Sequence, residues 1–419
     1  MSEKRLFWGW WVLFGIFTSY TALVGIQVFT LPLFYPELIR EFGWSTEQVT
    51  RAATIFFLTG AFITPLVSPL FDRFSARIFM IAGAVATVFG FLGYSMLQTV
   101  PQMILIYMVF SLSQVCAGQV PTMMVVARWF KRYRGIAFGI TLMGPDIGGA
   151  VFPLVIRPFL AAGQWRNALL VFMVISGAMM LLPMIFFIRS RPQDRGLQSD
   201  GDLPMEEARE KQTIESPSTG PSLAEAIKTP AFYVLAFTTG SLWFCMNGIT
   251  QHQSIFMSEE LGISMKTLPV IVSTLFWFAI VGKLLIGYLS DHFNKTLMLF
   301  TAIVFLIIGL SLLRLSSAGN IWTLFTYAAV FGIGYSGTFT MIQLVIAELY
   351  SGRSYGRILG ILTMVDVGAA GIAITALARM ESIFKSYLPV FEILIGLACL
   401  AALLILWMHR MNRKSCQGS

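Results

Sequence analysis

Charge is scarce in this sequence. Only 12% of its 419 residues are Asp, Glu, Lys or Arg, while 56% are hydrophobic. A water-soluble fold of this length cannot cover that much apolar side chain, so a soluble enzyme or soluble binding module is excluded. Cysteine and histidine are scarcer still, with four and three copies. Cys116, Cys245, Cys399 and Cys416 show no CxxC or metal-ligand spacing, and the first three lie in apolar runs, where cysteine acts as a small hydrophobe. No disulfide and no metal site are expected. His252, His292 and His409 stand far apart, and HExxH and GxxxxGK[ST] are absent. The metalloprotease and ATP-driven chemistries carried by those motifs are therefore unsupported. Neither an enzyme nor a cofactor is expected.

Long apolar runs are what the sequence has instead. They recur in stretches of eighteen or more residues and are continuous rather than alternating, which points to membrane-spanning helices and not to a β-barrel. Twelve spans are predicted, over 8–34, 46–70, 78–98, 103–127, 135–160, 167–188, 231–257, 267–289, 296–316, 321–347, 355–379 and 385–408. The first run is too long for the apolar core of a cleaved signal and is expected to be retained. The stretch 189–230 differs in kind. It is polar, mixes charges of both signs and contains Pro192, Pro204, Pro217 and Pro221, so it reads as a linker. Near its end, Ser222 and Glu225 have capping-box spacing. The predicted fold class is an all-α membrane protein of two pseudo-symmetric six-helix bundles, 1–188 and 231–419, joined by the 189–230 linker.

The net charge of +8 becomes a statement about orientation. With the N-terminus inside, 20 of the 29 lysines and arginines fall on the cytoplasmic side, an asymmetry that predicts both termini and the linker to be cytoplasmic. Trp8, Trp10 and Trp11 then sit at the inner interface. A lipid bilayer is the expected surroundings, and nucleic acid is not an expected partner.

The halves echo each other. ARWFKRYRGIAFGITLMGPDIGG (127–149) places Arg128, Lys131, Arg132 and Arg134 ahead of an apolar, glycine-rich helix carrying Asp146. AELYSGRSYGRILGILTMVDVGAAG (347–371) repeats the pattern with Asp366. The offsets are 356 − 135 = 221 and 366 − 146 = 220. The second echo joins SPLFDRFSAR (68–77) to GYLSDHFNK (287–295). In each, an acid (Asp72, Asp291) follows Leu by two residues, and Phe and then a base (Arg77, Lys295) come after it. The offset is again similar, 291 − 72 = 219. Duplicated halves of this kind build a substrate site at the repeat interface in many transporters.

With twelve spans, a central linker and paired Asp-containing loops, the chain resembles the major facilitator superfamily over essentially its whole length. More narrowly, RWFKRYRGIAFGI (128–140) looks like the loop 4–5 signature of monocarboxylate and oxalate–formate porters. Phe7-Trp8-Gly9-Trp10-Trp11 is similar to the start of their span 1, and Thr229-Pro230-Ala231-Phe232 to the start of their span 7. The sequence also departs from the pattern. Ser68 and Ser75 stand where the loop 2–3 motif usually has glycine. Lys283 falls on the basic position of span 8, but the basic position of span 11 falls near Leu362. Span 1 carries no base between Trp8 and Phe34.

A charge at the bilayer centre costs at least about 2.5–3.5 kcal/mol on insertion scales, which marks it for function. Three residues qualify. Lys283 can pair a substrate carboxylate as a point charge, the plain alternative being an ion pair with Asp366. Asp146 and Asp366 can carry a proton, because burial penalises a carboxylate's charge; the alternative is helix packing. The resemblance places spans 1, 4, 7 and 10 around a cavity. That makes Tyr20, Gln27, Gln114, Gln119, Trp243, Asn247, Tyr335 and Gln343 candidate substrate contacts, each equally able to serve as interhelical glue. Asp72, Arg73, Arg77, Arg128, Arg134, Asp291 and Lys295 are candidate gating residues, the alternative for the bases being topology anchoring. His252 reads as structurally satisfied, and Glu392 as peripheral. Gly144, Gly148, Gly149, Gly368 and Gly371 are expected to allow close helix approach.

The expected function is secondary transport of a small, monocarboxylate-like organic anion across the cytoplasmic membrane by a proton-coupled, monomeric symporter. The alternatives are transport of a cationic or zwitterionic solute, and anion exchange. A nutrient sensor on the same scaffold would be expected to add a signalling tail, and only nine residues follow Arg410.

Overall fold

The structure, a computed structural model, describes residues 7–67, 70–199, 222–317, 319–350 and 355–417; the side chains of residues 72, 73, 195, 355, 356, 409 and 411–417 lie outside that description. Among the described residues, twelve helices are long and apolar enough to cross a membrane. They are Gly9–Phe42, Thr46–Val67, Ala76–Ser95, Val100–Trp129, Arg134–Ala161, Trp165–Phe186, Pro230–Glu260, Leu268–Ser290, Lys295–Arg314, Ile321–Leu349, Arg357–Phe384 and Leu388–Met408, hereafter spans 1 to 12. Hydrocarbon offers no partner to a backbone N–H or C=O, so a continuous apolar run must satisfy its own backbone, and a helix does so.

The expected number of spans is present, but several ends move. Span 1 continues past Phe34 to Phe42 through a π-helical turn at Gly25–Thr30, a 3₁₀ turn at Leu31–Phe34 and a short helix at Tyr35–Phe42. The π turn has a local cause, since the Thr30 hydroxyl donates to the Gly25 carbonyl at 2.7 Å and draws the backbone inward. Pro32 and Pro36 open the next two turns, where a missing N–H costs nothing. Span 4 begins at Val100 because Thr99 and Gln102 close a capping box ahead of it. It breaks at Gly118 before resuming at Gln119. Ser222 and Glu225 form the capping box expected at the end of the linker. The Ser222 backbone N–H donated to the Glu225 carboxylate holds that group below the ordinary glutamate range.

The residues group into two compact units, Met1–Gly43 with Ile55–Thr213, and Trp44–Thr54 with Ile214–Ser419. In the first, glycines bring spans 1 and 5 together. A Cβ on Gly148 would lie 2.5 Å from the Thr21 carbonyl oxygen, and one on Gly25 would lie 2.5 Å from Gly148 Cα. The close approach expected of Gly148 is therefore real. Gly368 does not share it. Nothing lies within 4 Å of where its Cβ would be, so it opens on space rather than on a neighbouring helix. In the second unit, Gly282 and Gly332 let spans 8 and 10 pack backbone to backbone, and Gly240 and Gly248 seat span 7 on Val365 and Leu377 of span 11.

A corner recurs in both units that the sequence reading missed. In the first, Glu41 near the end of span 1 accepts Trp165 Nε1 at 2.5 Å and the Arg166 guanidinium at 2.5 Å, both at the start of span 6. In the second, Glu260 at the end of span 7 accepts the Tyr387 backbone N–H at 2.6 Å and the Ser386 hydroxyl at 3.1 Å, just before span 12. Gly43 and Gly262, two residues after each glutamate, are both left-handed, with φ of 66° and 65°. Gly163 (φ 69°) and Lys385 (φ 58°) turn the chain into spans 6 and 12 in the same conformation. The glutamates and the glycines that follow them are each 219 residues apart (260 − 41 and 262 − 43), in register with the echoes in sequence.

Candidate functional site

In the second unit, three spans meet at one ring. Phe339 of span 10 packs against Trp243 of span 7, with ring centroids 5.7 Å apart and tilted by 55°. The Lys283 ammonium of span 8 lies over the same ring, 5.5 Å from its centroid. One helical turn before Trp243, Thr239 faces the Asp366 carboxyl of span 11. Residues four apart share a face of a helix, so Trp243 and Asp366 belong to one side of span 7. Asp366 is 1% exposed, and its Oδ1 has no hydrogen-bond partner among the described residues; the same holds for the buried Trp243 Nε1. The ion pair between Lys283 and Asp366 considered above is therefore not formed through Oδ1. A cation on an aromatic face beside an indole donor can bind a small polar ligand with an apolar body.

The remaining candidates of this unit divide. Asn247 is buried, and its amide donates to the Trp243 carbonyl on its own helix at 3.2 Å. Tyr335 is buried against Phe276 and Phe331. Gln343 is half-buried on span 10. His252 is satisfied on both sides, Nδ1 with the Tyr387 hydroxyl at 2.7 Å and Nε2 with the Ile374 carbonyl at 2.8 Å. A carbonyl only accepts, so Nε2 carries the proton and Nδ1 accepts from Tyr387. The histidine thereby ties span 7 to span 11, as a structural residue does. Arg314 and Glu392 pair between spans 9 and 12, which accounts for Glu392 without a ligand.

In the first unit, Asp146 of span 5 is 3% exposed and lies within electrostatic reach of the buried Tyr20 hydroxyl of span 1. The Gly25–Gly148 contact sets that proximity, because it removes the side chains that would hold the two helices apart. Gln27 sits in the π turn and donates to Thr87 Oγ1 at 3.1 Å. Thr87 in turn lies 2.5 Å from Ser113 Oγ of span 4. Gln27 Oε1 and Gln114 Nε2 are buried and lack hydrogen-bond partners among the described residues. Gln119, by contrast, is exposed where span 4 resumes after its break.

Comparison with known proteins decides the family. The family model described as Major Facilitator Superfamily matches residues 12–264 and 253–415. The chain belongs to the Major Facilitator Superfamily. It is a transporter of that superfamily and not an enzyme. It is similar to the MFS-type transporter YcxA of Bacillus subtilis (strain 168), 22% identical over 416 residues that cover 96% of this chain and 95% of the relative. It is also similar to monocarboxylate transporter 6 of Homo sapiens, 22% identical over 373 residues covering 86% and 72%. The crystal structure of the nucleoside transporter NupG superposes with a TM-score of 0.74 at 11% identity, over 96% of this chain and 99% of that one. That last likeness concerns the fold.

The loop residues of this superfamily member have local partners within their units. Arg77 donates to the last carbonyls of span 6, Met184 at 3.0 Å and Ile185 at 2.6 Å, and its backbone N–H donates to Ser190 Oγ at 3.0 Å. Arg134 caps the end of span 4 through the Ala127 carbonyl at 2.9 Å and the Phe130 carbonyl at 3.3 Å. Both exploit the affinity of a cation for a helix C-terminus. Arg128 is half-buried at that same end. Lys295 approaches Glu348 at 4.0 Å, joining spans 9 and 10, while Asp291 is exposed just past the end of span 8. The side chains of Asp72 and Arg73 lie outside the described residues, as does Ser68. Phe339 and Thr239 were absent from the sequence reading. An aromatic one turn beyond Tyr335 and a hydroxyl one turn before Trp243 were the available signals, but neither residue type stands out within an apolar helix.

Proposed function

We propose that this superfamily member carries a small, monocarboxylate-like organic anion across the cytoplasmic membrane by proton-coupled alternating access, as a monomer with both termini and the linker inside. Lys283 pairs the carboxylate, and Asp366 or Asp146 takes the proton. The observation that carries this reading is the position of the Lys283 ammonium, held against an aromatic face within a membrane span. A carboxylate brought to Lys283 places negative charge near Asp366 and favours its protonated form. Proton and substrate then bind better together, and by linkage each helps the other equally. The similarity to a monocarboxylate transporter supports the substrate class. One observation favours a second reading, a cationic or zwitterionic solute: Asp366 Oδ1 has no hydrogen-bond partner among the described residues and is free to receive an ammonium. Counterflow in proteoliposomes with a panel of small acids and amines separates the two. Uptake of acids that is lost in Lys283→Gln supports the anion reading, and uptake of amines alone replaces it.

A further inference from the structure

The aromatic pair beside Lys283 indicates which carboxylates fit. Span 10 carries rings at every fourth position, Tyr327, Phe331, Tyr335 and Phe339, and so displays them on one face. The first three are packed away. Tyr327 and Phe331 are fully buried with ring centroids 5.4 Å apart, and Tyr335 is closed in by Phe331 at 6.2 Å and Phe276 at 6.3 Å. Phe339 differs, being half-buried, as is its partner Trp243. A half-buried ring in a membrane protein commonly faces lipid. Here that is excluded, because the Lys283 ammonium lies on the ring and a charged group facing hydrocarbon is too costly. The pair therefore lines polar space.

We infer that the substrate is an aryl or arylalkyl monocarboxylate, a carboxylate borne on a flat, unsaturated body that lies against Phe339 and Trp243. The inference rests on the carboxylate reading above. Pairing with a substrate carboxylate draws the ammonium off the Phe339 face, since a full negative charge attracts it more strongly than a ring quadrupole. The vacated face then needs a new neighbour. A short aliphatic acid leaves it empty, whereas a flat π-body covers it and meets Trp243 at its edge, in the offset and tilted geometries that aromatic groups prefer. The Trp243 N–H, without a partner among the described residues, is positioned to donate to an acceptor on that body.

The test is counterflow by the full chain in proteoliposomes, comparing phenylacetate with cyclohexylacetate, propionate and benzylamine. Phenylacetate is expected to exchange at least tenfold faster than cyclohexylacetate or propionate. Phe339→Leu and Trp243→Leu should bring the phenylacetate to cyclohexylacetate ratio close to one, and Phe339→Tyr should preserve it. Because the ratio is taken within each variant, a lower yield of folded protein does not alter it. Equal rates for the three acids, an unchanged ratio in Phe339→Leu, or no acid exchange at all would overturn the inference. In the first two cases, acid uptake that still depends on Lys283 leaves the carboxylate reading intact. Exchange of benzylamine that survives Lys283→Gln removes the carboxylate reading itself.

Discussion

Lys283, Asp146 and Asp366 are legible in the sequence because a charge within an apolar run is expensive and needs a reason. Their neighbours are not. The contact that defines Lys283 is with Phe339, 56 residues away (339 − 283), and only the packing of spans 8 and 10 creates it. Lys283→Gln is expected to abolish carboxylate counterflow, and Lys283→Arg to restore only part of it, because a planar guanidinium does not sit as a point charge in the same space. Asp366→Asn should leave substrate exchange in place while removing the alkalinisation that accompanies net uptake, read with a pH-sensitive dye outside the vesicles. Persistence of that proton signal would assign the coupling to Asp146.

At the scale of helices, small residues decide which spans touch. Gly148→Ala drives a methyl group into the Thr21 carbonyl, which has no flexible end to yield. A loss of about 1–3 kcal/mol is expected for such overpacking. Gly368→Ala meets open space and should melt like the parent or slightly higher, since alanine is the better helix former. Thermal melting of the purified protein in detergent separates the two. The two chain corners give a further prediction. Lys385 holds a left-handed conformation that its counterpart Gly163 adopts without strain. Lys385→Gly should therefore stabilise the second unit by up to about 1 kcal/mol. A lower melting temperature for that variant would mean that the lysine side chain outweighs the strain.

For the whole molecule, the repeat is the governing feature. The sequence displays it in two loops and two acid-bearing helices, and the structure adds the Glu41 and Glu260 corners at a matching offset. The expected orientation can be tested by placing a cysteine at Ser218, which lies outside the described residues. A membrane-impermeant maleimide should label it in inverted vesicles and not in intact cells. Labelling from outside would reverse every loop assignment.

The sequence by itself determined that the chain crosses a membrane twelve times as helices. A bilayer of fixed thickness demands apolar runs of fixed length, and each run must satisfy its own backbone. It also singled out Lys283, Asp146 and Asp366 as charges within apolar runs, because a charge stands out among apolar neighbours in the sequence itself. It did not determine where span 1 ends. Tyr35-Pro36-Glu37 reads as a break, yet proline is tolerated in the first turn of a new helix, and the chain continues to Phe42. Only the tertiary structure decided that Lys283 rests on Phe339, that Trp243 joins that ring, that Asp366 faces Thr239, and that Arg77 and Arg134 cap helix ends. These are contacts between or across helices, and they depend on how the backbones approach one another at their glycines. Helical periodicity fixes the face on which a residue lies, and packing chooses what that face meets.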